Sequence, residues 1–455
     1  MPEFSKSILF QPDGQIAWEG DHECRGEFLP VLNGDLHRSF SWLCVKKPRH
    51  ASNISGAQVF SVAKSLKFID STGCIKGCYN ILPNGVLMNE VVEKFNNYHC
   101  SKLRAEKMEF PYLFDNSDPL VNKLTEHYAK QDRIFSLEKS DYKLCYAADP
   151  NLFMWLKDKT FATTDLPYTI YSPLPGFRKW KTGEIGLMKR FYQYPIPDIH
   201  MICLEEQAQA QLLNWIVLNS ESMTYWIGKD WSAFMDINEE YLDRHPSIGG
   251  DIAKKLNHYF LMNVSKQSQA YYSFRIGLMV DAGYDNVMFF NLQMDETNGR
   301  RFRIFDDRGA SVSIIHGTLV GGWPKMIPIY IGRGLAGISS KVLPIEFSPV
   351  QITIFTLSSE CLAYAKELGS QMSVYFRMDI ELTPELSLSI KQLIDNWQEY
   401  YIIIGPNEVA TKEIKIQSWL KREAFAIADF IALYKHRLSN RDRIDNRIPQ
   451  CIKNL

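Results

Sequence analysis

Residues 177 to 200 constrain what this chain can fold into more than any other stretch. They read Phe177-Arg178-Lys179-Trp180-Lys181-Thr182-Gly183-Glu184, then Ile185 to Arg190, then Phe191-Tyr192-Gln193-Tyr194-Pro195-Ile196-Pro197-Asp198-Ile199-His200. Apolar and cationic residues alternate, a Lys/Thr/Gly turn sits in the middle, and the run closes on Asp-Ile-His. The pattern predicts strand, turn, strand. Successive side chains on a strand face opposite ways, so Asp198 and His200 share one face, with Arg178 on the first strand across the turn. Such a hairpin could gather a guanidinium, an aromatic ring, a carboxylate and an imidazole. Those groups suit a phosphate, an adenine and an ammonium. An ordinary amphipathic hairpin with a solvated basic edge fits the same pattern.

The 455 residues allow two or three domains and a large core. A formal charge of -1 gives no global drive toward nucleic acid, so any such binding must use local patches. No window reaches the apolar length of a membrane span, and the first residues lack a signal-peptide core, so the expected location is the cytoplasm. The nine Cys show no disulfide-like framework. Cys74 and Cys78 have no second pair nearby and read as structural.

In chain order, residues 1–56 are mixed and carry no readable function. They look like a small extension, or a few strands packed on the main body. Helical spacing runs from Leu87 to about Arg104. Met108 to Phe114 reads as a strand carrying Pro111, hence at an edge, a bulge or an interface. Tyr142 to Tyr146 is a strand, and Asp149-Pro150 predicts an N-cap with Pro at N1 of a helix over Asn151 to Lys157. Ala208 to Ser220 is helical. Phe289 to Asp295, the Asn298-Gly299 turn and Arg301 to Phe305 read as a hairpin; Val312 to His316 is a further strand. After Pro344, strands and helices alternate: strands at Val350 to Thr356, Ser373 to Phe376, Tyr400 to Ile404 and Lys412 to Ile416, with helices at Cys361 to Leu368, Leu386 to Trp397 and Arg422 to Tyr434. That alternation implies a separate α/β domain with a mostly parallel sheet.

This order, over about residues 60 to 435, resembles the class II aminoacyl-tRNA synthetases, most of all the archaeal form of threonyl-tRNA synthetase. Several matches are local. Phe110-Pro111 resembles the first, dimer-forming motif. Leu166-Pro167 followed by the 177–200 hairpin resembles the second. Leu292-Gln293-Met294-Asp295 followed by Asn298-Gly299 resembles the family's Gln-x-Asp hairpin. His316 followed by Gly321-Gly322 resembles the approach to the third motif, and Ser348-Pro349-Val350-Gln351 the opening of the anticodon-binding domain. The resemblance implies an α/β chain whose α+β catalytic core is an antiparallel sheet with flanking helices, followed by a small α/β anticodon-binding-like domain. The expected divisions are an extension over 1–56, the catalytic domain over 57–343, the anticodon-binding-like domain over 344–435 and a basic tail over 436–455. A homodimer is implied as well.

The same resemblance implies ATP, with Mg2+, as a substrate for forming an aminoacyl-adenylate. Arg178 then holds the α-phosphate, Arg190 reaches the distal phosphates, and Tyr194 and Lys325 flank the adenine. Asp198 and Gln293 contact the amino acid. Arg178, Lys325 and Gln293 are the implied catalytic residues. A zinc ion is implied between Asp149, His200 and His316, and tRNA contact through residues 346–435. Four departures mark a divergent paralogue. Asp149 stands where the family has the zinc Cys, a harder and less zinc-selective donor. Trp180 replaces a Glu that accepts from adenine. Lys325 replaces an Arg, keeping its charge and losing its planar fork. Pro324 replaces a Glu. The segment Glu381 to Ile390 also lacks the family's Gly-Lys pair. Two functions follow: a ligase for threonine or a similar amino acid, with tRNA or another acceptor, or a binding or regulatory module without catalysis.

Overall fold

The computed structural model describes residues 3–45, 52–181, 183–186, 188, 190–266, 271–383 and 385–439. The expected basic tail lies, from residue 440 onward, outside the described residues. The chain divides into two compact units. One comprises Met1–Ala57, Gly73–Cys78 and His99–Ile329, the other Gln58–Thr72, Tyr79–Tyr98 and Tyr330–Leu455.

A ten-stranded sheet organises the first unit. Its strands are β1 (Phe4–Phe10), β2 (Ile16–Asp21), β3 (Glu106–Lys107), β4 (Tyr168–Phe177), β5 (Gln193–Cys203), β6 (Ser232–Asn238), β7 (Phe260–Ser265), β8 (Phe274–Asp281), β9 (Asn286–Asp295) and β10 (Ser313–Thr318). They lie in the order β2-β1-β7-β6-β8-β9-β10-β5-β4-β3. Only β6–β7 and β3–β4 are parallel. The amino-terminal residues are therefore strands of the main sheet itself, β1 pairing with β7.

The expected hairpin is β4 and β5, in register from Phe177 opposite Gln193 to Tyr168 opposite Ile202. The strands end sooner than expected, β4 at Phe177 and β5 beginning at Gln193, so Arg178 lies just beyond β4. Tertiary partners take the next backbone groups: Lys179 N–H donates to Arg133 O at 2.9 Å, and Tyr192 N–H to Gly77 O at 2.9 Å. Prolines are tolerated in these central strands for a positional reason. Pro195 and Pro197 face Pro175 and Pro173 across the ladder. On its other side β5 meets β10 only from Asp198 onward. The missing N–H groups thus fall where no partner strand asks for them.

Other expectations shift. The strand over Met108 to Phe114 breaks at the proline: β3 lies before it, and Leu113–Asp115 pairs with Tyr142–Leu144 after it. Asn298–Arg301 is one helical turn, not a hairpin turn. The Asp295 carboxylate captures the N–H groups of Thr297 and Asn298, both at 2.8 Å, and closes the backbone helically. Phe305–Asp306 then pairs in parallel with Thr160–Phe161, and β9 takes β8 and β10 as neighbours.

One rung of the sheet matters for function. His200 lies opposite His316, His316 opposite Gln293, Gln293 opposite Arg275, Arg275 opposite Asp236, Asp236 opposite Asn263, and Asn263 opposite Ser7. Directly opposed residues of neighbouring strands share a face. A single row of polar side chains therefore crosses the sheet from β5 to β1.

In the second unit, β11 (Ile352–Thr356), β12 (Met378–Leu382), β13 (Tyr400–Ile404), β14 (Lys415–Ser418) and β15 (Glu423–Ala426) form a sheet in the order β12-β11-β13-β14-β15. The first three are parallel and the last two antiparallel. The strand expected at Ser373 to Phe376 lies later, at β12, because the Gln351 side chain binds the Arg377 N–H at 3.0 Å and sets where pairing starts. The last expected helix opens with β15 and is helical only over Ile427–Ser439. Ile352, Ile354, Met378, Ile402, Ala365 and Leu368 share its core. Among the described residues, no helix is long and apolar enough to cross a membrane.

Candidate active site

Asp149 opens the helix Asp149–Leu156. Leu152, Phe153 and Leu156 are fully buried against Ile170, Ile202 and Ile314, and this seats the start of the helix over β5 and β10. The cap position is Ala148, one residue before the expected one, and no side chain caps the helix. Asp149 has stronger partners. Its Oδ1 lies 2.9 Å from His200 Nε2 and 3.2 Å from His316 Nδ1. The freed Ala148 N–H donates to Asp198 Oδ2 at 2.9 Å.

The three donor atoms of Asp149, His200 and His316 lie within 4.8 Å of one another, and all three residues are buried. Donors around a small divalent ion, each about 2.0–2.2 Å from it, stand roughly 3.3 Å apart. The set fits such an ion. The far nitrogen of His316, Nε2, meets Asp295 Oδ2 at 2.9 Å, the outer carboxylate that commonly orients a ligating imidazole. Asp295 is in turn held by Asn298 Nδ2 at 2.7 Å. His200 Nδ1 is buried with no partner in the protein. Burial works against a charge on His316, but Asp149 and Asp295 outweigh it and lift its pKa to about 10. Burial, and then Asp149, raise Asp198 to about 7.

These residues open onto a cavity of about 400 Å³. Arg133, Arg178, Arg190 and Arg275 line it, with Trp180, Asp198, Gln293 and Tyr271. The Arg178 guanidinium lies 5.5 Å from the ring centres of both Tyr128 and Tyr194, and its Nε donates to Tyr146 O at 3.4 Å. Trp180 is stacked between two guanidiniums, Arg133 at 4.5 Å and Arg190 at 4.4 Å. Its indole N–H donates to Phe191 O at 2.7 Å. Glu184 binds Arg133 through both oxygens and lies 3.8 Å from Arg190.

No family model matches the chain. Its sequence relatives include the threonine–tRNA ligase of Pyrococcus furiosus, 22% identical over 360 residues, which are 76% of this chain and 57% of that protein. That of Nanoarchaeum equitans is 26% identical over 360 residues, 75% of this chain and 56% of that protein. The chain thus spans little more than half of these relatives. Among solved structures, the RNA binding domain of threonyl-tRNA synthetase from Cryptosporidium parvum Iowa II superposes with a TM-score of 0.69 at 18% identity, over 83% of this chain and 98% of that one. Prolyl-tRNA synthetase from Giardia lamblia, in complex with prolyl-adenylate, gives 0.64 at 12% identity, over 85% and 80%. This is a class II aminoacyl-tRNA synthetase fold.

Within the class II fold, the expected site residues Arg178, Arg190, Asp198, Gln293, Asp149, His200 and His316 all line the cavity. Tyr194 and Lys325 do not. Tyr194 lies under Arg178, and Lys325 Nζ donates to Phe289 O at 2.7 Å. Burial lowers the Lys325 pKa to about 8, with Asp198 opposing. Sequence reasoning missed Arg133, Glu184 and Arg275. Arg133 follows a helix in a turn and carries no local signal. Arg275 could have been found from alternation, since it points to the same face as Gly277, which lies opposite the polar Asn291.

The turn that anchors Asp295 depends on Gly299. A Cβ there would meet Val312 O at 2.2 Å. Gly299→Ala is expected to cost about 1–3 kcal/mol, read as a lower midpoint in a thermal melt of the full chain. A midpoint equal to that of the unsubstituted protein would rule out this contact as a constraint.

Proposed function

We propose that this chain activates an amino acid with ATP as an aminoacyl-adenylate and passes the acyl group to tRNA. The observation that carries the reading is the cavity: four guanidiniums gathered with a buried carboxylate–imidazole cluster on a class II sheet. Arg178 is assigned to the α-phosphate and Arg190 to the distal phosphates of Mg2+-bound ATP, with Tyr194 supporting Arg178 from beneath rather than meeting the base. Asp198 and Gln293 take the amino acid. Arg178 and Gln293 are the residues assigned to the reaction itself; the expected third, Lys325, is left out because it does not line the cavity and its ammonium is bonded to Phe289 O. Asp149, His200 and His316 would hold zinc, which supplies a Lewis-acidic position for the amino and hydroxyl groups of threonine or a similar substrate. The chain's own part is to neutralise phosphate charge and orient the carboxylate for attack.

The reading includes a cytoplasmic homodimer formed near Pro111 and tRNA contact through residues 346–435. The test is amino-acid-dependent pyrophosphate exchange across the twenty amino acids, with sedimentation of the protein alone and with total tRNA. Threonine or a close analogue should give the fastest exchange, on a dimer that shifts with tRNA. No exchange with any amino acid, and no ATP binding by calorimetry, would end the ligase reading. One feature favours a non-catalytic module instead: Arg133 and Arg190 are already committed to Trp180 and Glu184.

A further inference from the structure

We propose that the amino-terminal segment acts on the cavity through a hydrogen-bonded chain that positions Arg275. The proposal rests on the adenylate reading only for what the cavity binds. Arg275 lines the cavity, and its Nη2 donates to Asp236 Oδ2 at 2.5 Å. The other oxygen of this buried carboxylate accepts Asn263 Nδ2–H at 2.9 Å. Asn263 Oδ1 accepts the Ser7 hydroxyl at 2.8 Å. Ser7 Oγ also lies 2.9 Å from His22 Nδ1, and His22 Nε2 lies 2.7 Å from Arg25 Nη1.

Proton counting assigns every role. A guanidinium only donates, so His22 Nε2 accepts and Nδ1 carries the imidazole's proton. Ser7 has one hydroxyl proton, given to Asn263, so it accepts from His22. Donation then runs from His22 through Ser7 and Asn263 to Asp236, and from Arg275 to Asp236 at the other end. Arg25 fixes the outer end, since its Nε donates to Leu43 O at 3.1 Å. In a buried, low-dielectric row such bonds polarise one another.

The arrangement does more than satisfy a core. A carboxylate facing arginine commonly offers both oxygens to the fork. Here Asn263 takes one of them. That fixes the rotation of the Asp236 carboxylate, and with it the direction of a guanidinium whose side chain is about a third exposed (32%). Asp236, Asn263, Ser7 and His22 are thus positioning residues for Arg275, and β1 and the segment after β2 belong to the site.

The test uses the full chain, with Asn263→Leu and Ser7→Ala. Phenylglyoxal modification of Arg275 is followed by peptide mass spectrometry, with exposed Arg303 as the internal reference, and ATP binding by calorimetry. Arg275 should react several-fold faster in both variants while Arg303 does not change. ATP should bind about tenfold more weakly. Ser7→Thr, which keeps the hydroxyl, should restore both. Should Asn263→Leu fail to fold, Ser7→Ala, lacking one hydroxyl, decides. A folded Ser7→Ala with unchanged Arg275 reactivity and unchanged ATP affinity overturns the proposal. If the unsubstituted protein does not bind ATP, the adenylate reading fails, and Arg275 reactivity alone decides whether the chain positions this side chain.

Discussion

Arg178→Ala is expected to slow amino-acid-dependent pyrophosphate exchange by at least about a hundredfold, equivalent to roughly 3 kcal/mol of lost transition-state stabilisation. Negative charge builds on the α-phosphate as the amino-acid carboxylate attacks. Among the described residues, Arg178 is the cavity guanidinium with no carboxylate in ion-pair contact: its contacts are two tyrosine rings and the Tyr146 carbonyl. Arg133 and Arg190 share Glu184, and Arg275 has Asp236. Arg178→Lys should recover part of the rate, because it keeps the charge and loses the bidentate fork. Equal exchange rates in Arg178→Ala and the unsubstituted protein would show that another group meets the phosphate.

His316→Ala carries the second large effect. Bound divalent metal, measured by elemental analysis of protein purified without chelator, should fall from near one per chain to near zero. Where the cluster holds no ion, stability should fall by about 3–5 kcal/mol, since the substitution strands two buried carboxylates, Asp149 and Asp295, without their common imidazolium partner. The two readouts separate two states of the cluster. Where an ion is held, chelator alone should lower the melting midpoint of the unsubstituted protein. If chelator has no effect and the preparation carries no metal, the cluster is an ion-paired imidazolium and the metal assignment falls. Asp149→Cys should tighten zinc binding, since a thiolate is a softer donor.

The geometry of the candidate site was legible in sequence where its residues lie on regular strands. Asp198 and His200 alternate correctly on β5, and His316 arrives beside them because β10 pairs with β5 in the register that opposes the two histidines. Asp149 was named by its position in the resemblance, and its own helix start was read one residue off, with Ala148 as the cap. Propensity rewards a capping carboxylate, and only the folded sheet offers that carboxylate two imidazoles instead. The strands were read as running further toward the turn because the contacts that draw Lys179 and Tyr192 away from each other, Arg133 and Gly77, are far away in sequence. The Asn298-Gly299 pair looked like a hairpin turn until Asp295 supplied a competing acceptor. The role of residues 1–56 was illegible for a related reason. Ser7 and His22 are unremarkable in their own segment, and acquire meaning only through Asn263 and Asp236 across the sheet.

The same amino-terminal strands also cover an edge of the sheet. Every residue of β7 is buried, and β1 occupies its outer hydrogen-bonding side. Without β1 and β2, the apolar β7 backbone would become a long bare edge, the kind that recruits a strand from another molecule. With them, the sheet ends at β2, a strand of six residues, IAWEGD, on which Glu19 pairs with Lys6 at 3.0 Å. Charge on the outermost strand discourages edge-to-edge aggregation. A chain trimmed to residues 60 to 435 would lose that guard along with the polar row's outer end.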